Sequence, residues 1–314
     1  MLSFIGNRTP KTLHFDLLRR MCLRAEFVLA LHEMPAQRLA DVIESIGPAQ
    51  IVPLAELVQR KKEGKRSFGS FAITVDDGVG YNVRALAQLF LARAWPATFY
   101  LPTQYLDTGE PMAFQWWRRL KPLLPPRKLK LKSGVLDLSR PGAVEALSRS
   151  MEQRWRRERP ETYLPLISEL ADIVAQEIGV TRVKLRAPGP ISWSEVAELS
   201  RNDLIRFESH GVSHAAMSAL TEEEIVFEMG RSQRLIEEHT GRPCRHLCYP
   251  FGSRTSIGHL SPRIASRFYD SAVTMELGAT HDADPWLLPR IPLYPENSLL
   301  FARMKILLTR GMSN

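Results

Sequence analysis

The chain has 314 residues, 44% of them apolar and 24% charged, with a formal charge of +8; that is enough for one large α/β domain with a full core, or for two ordinary ones. The charge would suit an acidic partner, but the cations are dispersed. The clusters at Arg60-Lys61-Lys62 with Lys65-Arg66, and across 154–159, have no nucleic-acid motif around them and read as solvated faces. Three cysteines, Cys22, Cys244 and Cys248, none in a CxxC pair, exclude a disulfide framework and fit thiols in a reducing compartment.

In chain order, the N-terminus MLSFIGNRTPKTLHFDLLRRM lacks the apolar core of a signal peptide. No run approaches the roughly 18 apolar residues of a spanning helix. A cytoplasmic protein is expected. The stretch 13–24, which mixes Leu and Phe with several Arg, reads first as a packing helix and leaves room for a peripheral membrane contact. A buried strand over 27–31 then ends at His32-Glu33. Helical spacing over 36–46 stops at Gly47, a short helix is predicted over 52–60, and the basic 60–66 stretch is predicted as a loop.

Phe71-Ala72-Ile73-Thr74-Val75 is a β-branched apolar run that delivers two acids, Asp76 and Asp77, and then Gly78. Asp-Gly is an ordinary turn dipeptide; C-terminal strand ends are also where α/β sheets and barrels place catalytic groups. A helix over 82–94 and a strand over 97–101 follow.

The next eighty or so residues break this rhythm. They hold Trp116-Trp117, a proline cluster over 122–126, a small hairpin or arm over 129–138, and charged amphipathic helices over 141–157 and 161–178. No linker-like composition bounds the block. The domain expectation is therefore one domain over 1–314, with an insertion at about 105–190 packed on it.

Alternation then resumes. A helix over 192–201 has a Ser192/Glu195 capping box, a strand over 204–209 ends at His210, and a helix over 221–240 begins with Thr221/Glu224 and stops at Gly241. Strands are predicted over 246–249, 271–275 and 287–291, and a last helix over 298–309. About seven strands separated by helices point to a mostly parallel α/β fold, a distorted (β/α)7-type barrel with a helical insertion.

The second informative stretch is Glu208-Ser209-His210-Gly211-Val212-Ser213-His214. A four-residue spacing on a helical turn would put both imidazoles on one side, so that two nitrogens can meet one cation. With one carboxylate this makes a two-His, one-carboxylate set with positions left for water and substrate. In a parallel barrel the ends that carry Asp76-Asp77 and His210 share one face.

Three blocks, TVDDG (74–78), SHGVSH (209–214) and CYPFG (248–252), resemble the polysaccharide deacetylase family, carbohydrate esterase family 4 or NodB-homology domains, over roughly 25–295. The resemblance implies a metal-dependent hydrolase that removes N-acetyl, or N-formyl, groups from amino sugars. It implies Asp77, His210 and His214 as ligands of a divalent metal, most often Zn2+, with Ni2+, Co2+, Fe2+ and Mn2+ as alternatives. It implies Asp76 as general base and the backbone N–H of Phe251 as oxyanion donor.

Two departures follow. The arginine that steadies the base in the third block is missing, and Cys248 stands near its place; Arg290, in Leu-Pro-Arg-Ile-Pro, is the candidate substitute. The late Leu-x-His motif is also missing, and His281 in its Gly/Asp-rich loop fits it poorly. Leu31-His32-Glu33 resembles a circularly rearranged subset whose acid histidine lies on an early strand, which makes His32 the expected general acid.

Without a signal peptide, a nucleotide- or lipid-linked intermediate of surface-glycan synthesis is the expected substrate, and no nucleic-acid partner is expected. The rivals are a hydrolase of a non-sugar amide and an inactive barrel that binds glycan or a partner protein. Trp116, Trp117 and Trp193 are read as sugar-stacking or core residues, Tyr249 as packing, Cys248 as a pocket-lining residue, and His239, His246 and His259 as surface or structural.

Overall fold

The computed structural model describes residues 26–46, 49–65, 69–280 and 282–310. The stretch 13–24 with Cys22, the helix stop Gly47, Arg66 and His281 lie outside the described residues. The strands are β1 (Phe27–Leu31), β2 (Gln50–Ile51), β3 (Ser70–Val75), β4 (Ala97–Leu101), β5 (Lys128–Leu131), β6 (Gly134–Asp137), β7 (Ile205–Ser209), β8 (His246–Cys248), β9 (Ser271–Val273) and β10 (Ile291–Pro292).

The main sheet runs β10-β1-β3-β4-β7-β8-β9, with β2 added beside β3, and every pair in it is parallel. Its two ends approach through the segment 288–292. Leu288 bridges to Val273 on β9, and Ile291 pairs with Leu29 on β1. The result is a distorted (β/α) barrel. All of its C-terminal strand ends open on one face, because parallel strands point the same way.

The strand predicted over 287–291 is realised as one bridge and a two-residue ladder, after a 3₁₀ turn at Pro285–Leu287. Pro289 and Pro292 have no N–H to give a ladder, which keeps this strand short. β2 was not predicted; two residues are too few to show a period. The helix predicted over 52–60 is Leu54–Lys62, so the basic 60–66 stretch starts as its last turn.

The alternation of each strand divides the core. Phe71, Ile73 and Val75 of β3 face outward with Phe27, Leu29, Phe99 and Leu247 into the layer under the helices. Ala72 faces inward with Val28, Tyr100, Cys248 and Val273, and helix Leu54–Lys62 packs Leu54, Leu57 and Val58 on the same inner cluster. Strands buried on both faces read as continuous apolar runs, which is why they are visible in the sequence. Both capping boxes form: the Ser192 and Thr221 hydroxyls accept from the N–H groups of Glu195 and Glu224.

The block at about 105–190 has its own apolar cluster, built on helices Ala113–Leu120, Ala143–Trp155 and Pro160–Glu177 and on the β5-β6 hairpin. Trp116 and Trp117 are 3% and 4% exposed within it, and Trp117 Nε1–H donates to Ser148 Oγ at 3.0 Å. They are core residues, not a stacking surface for sugar. Among the described residues no helix is long and apolar enough to cross a membrane.

Candidate metal centre and catalytic cavity

β3 sends Ala72, Thr74 and then Asp76 to the inside of the barrel. The chain leaves the strand through two left-handed residues, Asp77 (φ 73°) and Gly78 (φ 64°). The Asp-Gly pair is thus both a turn and part of the site: the turn swings Asp77 away from Asp76, so the two carboxylates meet different partners. Among the described residues, Asp77, His214 and Phe251 are three of the four non-glycine residues at positive φ, and all three line one cavity. Such conformations are costly, and they persist where the surroundings hold them.

Asp76, 3% exposed, forms a two-point ion pair with Arg290: Nη1–H donates to Oδ1 at 2.8 Å and Nη2–H to Oδ2 at 2.7 Å. Arg290 is 0% exposed. It also donates to the Thr74 hydroxyl at 2.9 Å, the Thr274 carbonyl at 2.8 Å and the sulfurs of Cys248 and Met275. Burial alone would raise the Asp76 carboxyl. The Arg290 charge and its two hydrogen bonds outweigh burial and hold the group well below the usual carboxylate range. Cys248 lies behind Asp76, its thiol 3.5 Å from Oδ2. It is fully buried and does not line the cavity.

The histidine pair departs from the sequence expectation. Residues 210–216 form a loop, not a helical turn. The loop is organised by Glu228 on helix Glu222–Thr240, whose carboxylate accepts from the Val212 N–H at 2.6 Å, the Ser213 N–H at 3.0 Å and the Ser213 hydroxyl at 2.6 Å. Gly211, at φ +76°, is required here: a Cβ would sit 2.9 Å from Glu228 Oε2. The loop brings the rings of His210 and His214 together edge to face, with centroids 4.7 Å apart.

His210 Nδ1–H donates to the Cys248 carbonyl at 2.7 Å, which leaves the Nε2 lone pair directed at the site. Nε2 of His210 and of His214 lie 3.7 and 3.6 Å from Asp77 Oδ1. Burial depresses both imidazoles, His214 the more strongly, so they are neutral donors, and burial raises the Asp77 carboxyl.

Two neutral imidazoles and a carboxylate that has no arginine or lysine ion pair among the described residues, all ligand atoms within 4.8 Å of one another, fit a divalent cation. Asp76, His210 and Cys248 form a second cluster of the same compactness. It does not fit a cation, because the Arg290 guanidinium already stands 2.7 Å from Asp76 and 3.1 Å from the sulfur, and burial pushes the thiol well above its ordinary range.

His32, at the end of β1, places Nε2 3.8 Å from Asp76 Oδ2, with its side chain 32% exposed. Its ring stacks on Tyr294 at 6.5 Å, and its buried Nδ1 has no hydrogen-bond partner among the described residues. The Phe251 ring meets His214 edge-on at 4.8 Å. His32, Asp76, Asp77, His210, His214 and Phe251 thus line one cavity of about 720 Å³; Arg290 stands behind that lining, on Asp76 and on the Met275 sulfur. Phe114, Arg118, Trp155 and Arg156 from the 105–190 block close the cavity from above.

Sequence reasoning missed Glu228 and these cavity residues. An acid between Ile225, Met229 and Ser232 on the buried face of a helix was the available signal for Glu228. Trp193 stacks on His239 at 4.1 Å, away from the cavity, and His246 is buried against Ser271. The Tyr249 hydroxyl donates to the Trp286 carbonyl at 3.0 Å, and His259 is exposed.

The profile described as polysaccharide deacetylase matches residues 63–259. That span holds Asp76, Asp77, His210, His214 and Phe251 and leaves His32 and Arg290 outside. No curated protein matches the sequence. Among solved structures, the fold is similar to the Streptococcus pyogenes deacetylase PplD in complex with acetate (TM-score 0.58, 12% identity, 90% of this chain and 98% of that one). It is similar also to the BpsB deacetylase domain from Bordetella bronchiseptica (0.54, 14%, 87% and 96%) and to IcaB from Ammonifex degensii (0.53, 14%, 90% and 97%). At these identities the likeness is one of fold.

Proposed function

The chain belongs to the polysaccharide deacetylase family, and on that premise we propose that it is a metal-dependent hydrolase releasing acetate, or formate, from an N-acylated amino sugar of a surface-glycan intermediate. The observation that carries this reading is a divided pair of carboxylates. Asp77 faces two neutral imidazoles at 3.6–3.7 Å, while Asp76, one residue away, is held by Arg290 and faces the same cavity.

Asp77, His210 and His214 would hold a divalent cation, with Zn2+ the first choice for this donor set. Bound there, the cation would supply Lewis-acid polarisation of the amide carbonyl and acidify a water molecule. Asp76 takes a proton from the attacking water as the water oxygen adds to the carbonyl carbon. Arg290 keeps Asp76 ionised and aimed. The Phe251 N–H has no partner among the described residues and is free to donate to the oxygen that gains charge. His32 gives its proton to the nitrogen as the C–N bond breaks, leaving a free amine and a carboxylate.

The family relationship supports an acylated glycan substrate. A nucleotide- or lipid-linked sugar is the finer proposal. The test is acetate release by the purified protein with added Zn2+ or Co2+, over N-acetylhexosamines, their nucleotide- and lipid-linked forms, and non-sugar amides. Cation-dependent turnover of the sugars is expected. Turnover of non-sugar amides alone would overturn the reading.

A further inference from the structure

His32 is held in an unusual way. Its Nδ1 has no partner among the described residues, and its Nε2 is 3.8 Å from Asp76, beyond hydrogen-bond distance. Among the described residues no hydrogen bond of its own orients the ring, and its placement comes from the backbone that carries it and from the Tyr294 stack. The next residue, Glu33, is where that backbone is tied down. One carboxylate oxygen accepts from the Tyr81 hydroxyl, the other from Nη1–H of Arg118.

Tyr81 belongs to the first turn of helix Gly80–Arg93, which follows the Asp77-Gly78 turn directly. Arg118 belongs to helix Ala113–Leu120 in the 105–190 block. The same helix lays Phe114 against His214, with ring centroids 5.3 Å apart, and Arg118 lies 5.9 Å from the Phe114 ring. One helix therefore touches both sides of the mouth: the strand end carrying the proton donor, and the histidine loop.

We propose that Glu33 is a positioning residue for His32, and that Arg118 makes this placement depend on the 105–190 block. The proposal rests on the reading above that His32 protonates the departing nitrogen. Glu33 is 25% and Arg118 58% exposed, and an ion pair that exposed contributes little to stability. The buried Asn82 amide separately donates to the Met34 carbonyl at 2.8 Å, so the His32–Met34 loop keeps an anchor when Glu33 is changed. The variants fold, and the effect is read in turnover.

The experiment compares two acyl substrates in the Zn2+-loaded protein: an N-acetylated amino sugar, whose nitrogen must be protonated to leave, and 4-nitrophenyl acetate, whose phenolate leaves without a proton. Glu33→Ala is expected to lower kcat on the amide by about 100-fold, the scale of a misplacement near 1 Å, with KM and ester turnover little changed. Arg118→Ala has a smaller effect of the same kind, and Arg118→Lys restores most of it. Equal losses on amide and ester, or no loss on either, would overturn the proposal. His32→Ala separates the two readings. If it spares the ester while Glu33→Ala does not, the positioning role alone fails. If it depresses both substrates equally, the acid role of His32 and the positioning role fail together.

Discussion

On one side of the barrel mouth Asp76 is paired with a fully buried guanidinium; on the other, one residue along the chain, Asp77 has no arginine or lysine partner among the described residues and faces two neutral imidazoles. Burial is nearly the same for both, 3% and 4% exposed, so burial does not distinguish them. What differs is the compensating charge. Asp76 has its counter-charge built into the protein and is held ionised. Asp77 has no such contact among the described residues; burial outweighs the pull of the Arg118 charge and raises its carboxyl, which is the state of a ligand that requires a cation to be comfortable as an anion. Adjacent carboxylates acquire separate chemistry because a single left-handed turn sends them to different neighbours.

The largest effect should come from the Asp77 side. His210→Ala removes one of the three proposed ligand atoms and is expected to abolish both stoichiometric Co2+ binding, measured by titration, and turnover above background. On the Asp76 side, Arg290→Met leaves a buried carboxylate unpaired. The expected loss is about 3–5 kcal/mol of stability in urea unfolding, with intact folding at low temperature. With the guanidinium gone, burial raises Asp76, so the acid limb of the rate profile should move to higher pH. An unmoved limb would show that Arg290 does not govern the base.

Much of this contrast was legible in the sequence, for physical reasons. β1, β3 and β4 are buried on both faces and read as apolar runs, and the histidine and the acids that follow β1 and β3 are conspicuous; β7, Ile-Arg-Phe-Glu-Ser, alternates instead and is marked by the His210 that follows it. Arg290 was visible as a cation inside an apolar strand, a position that demands a partner. The loop around His210 was misread as a helical turn because spacing alone cannot show that Glu228 withdraws the Val212 and Ser213 N–H groups from a helix ladder. The contact of Arg118 with Glu33 joins residues 85 positions apart and has no local signature.

Two smaller effects sharpen the contrast. Glu228→Gln keeps the loop but weakens its hold, and cation affinity should fall by about 10-fold, as for other groups that orient ligands; unchanged Co2+ affinity would mean that the loop is rigid without the charge. Glu208, at the inner face of β7, serves as a control away from the mouth. It accepts from the Arg245 and His246 N–H groups at 2.7 and 2.8 Å, and burial pushes its carboxyl from 4.5 to about 8. The unfolded chain gives up this proton near pH 4.5 while the folded one keeps it. Its contribution to stability is therefore fully present below about pH 4.5 and is lost as pH rises through about 8. Glu208→Gln should flatten that decline in unfolding experiments and leave acetate release unchanged.

The division of labour between the two acids is tested most directly by Co2+ titration of Asp76→Asn and Asp77→Asn side by side, with acetate release measured on the same samples. The account predicts that Asp76→Asn binds one Co2+ per chain as tightly as the parent and releases about 100-fold or more less acetate, whereas Asp77→Asn loses the ion itself. The reverse pattern, with the ion retained by Asp77→Asn and lost from Asp76→Asn, would contradict it.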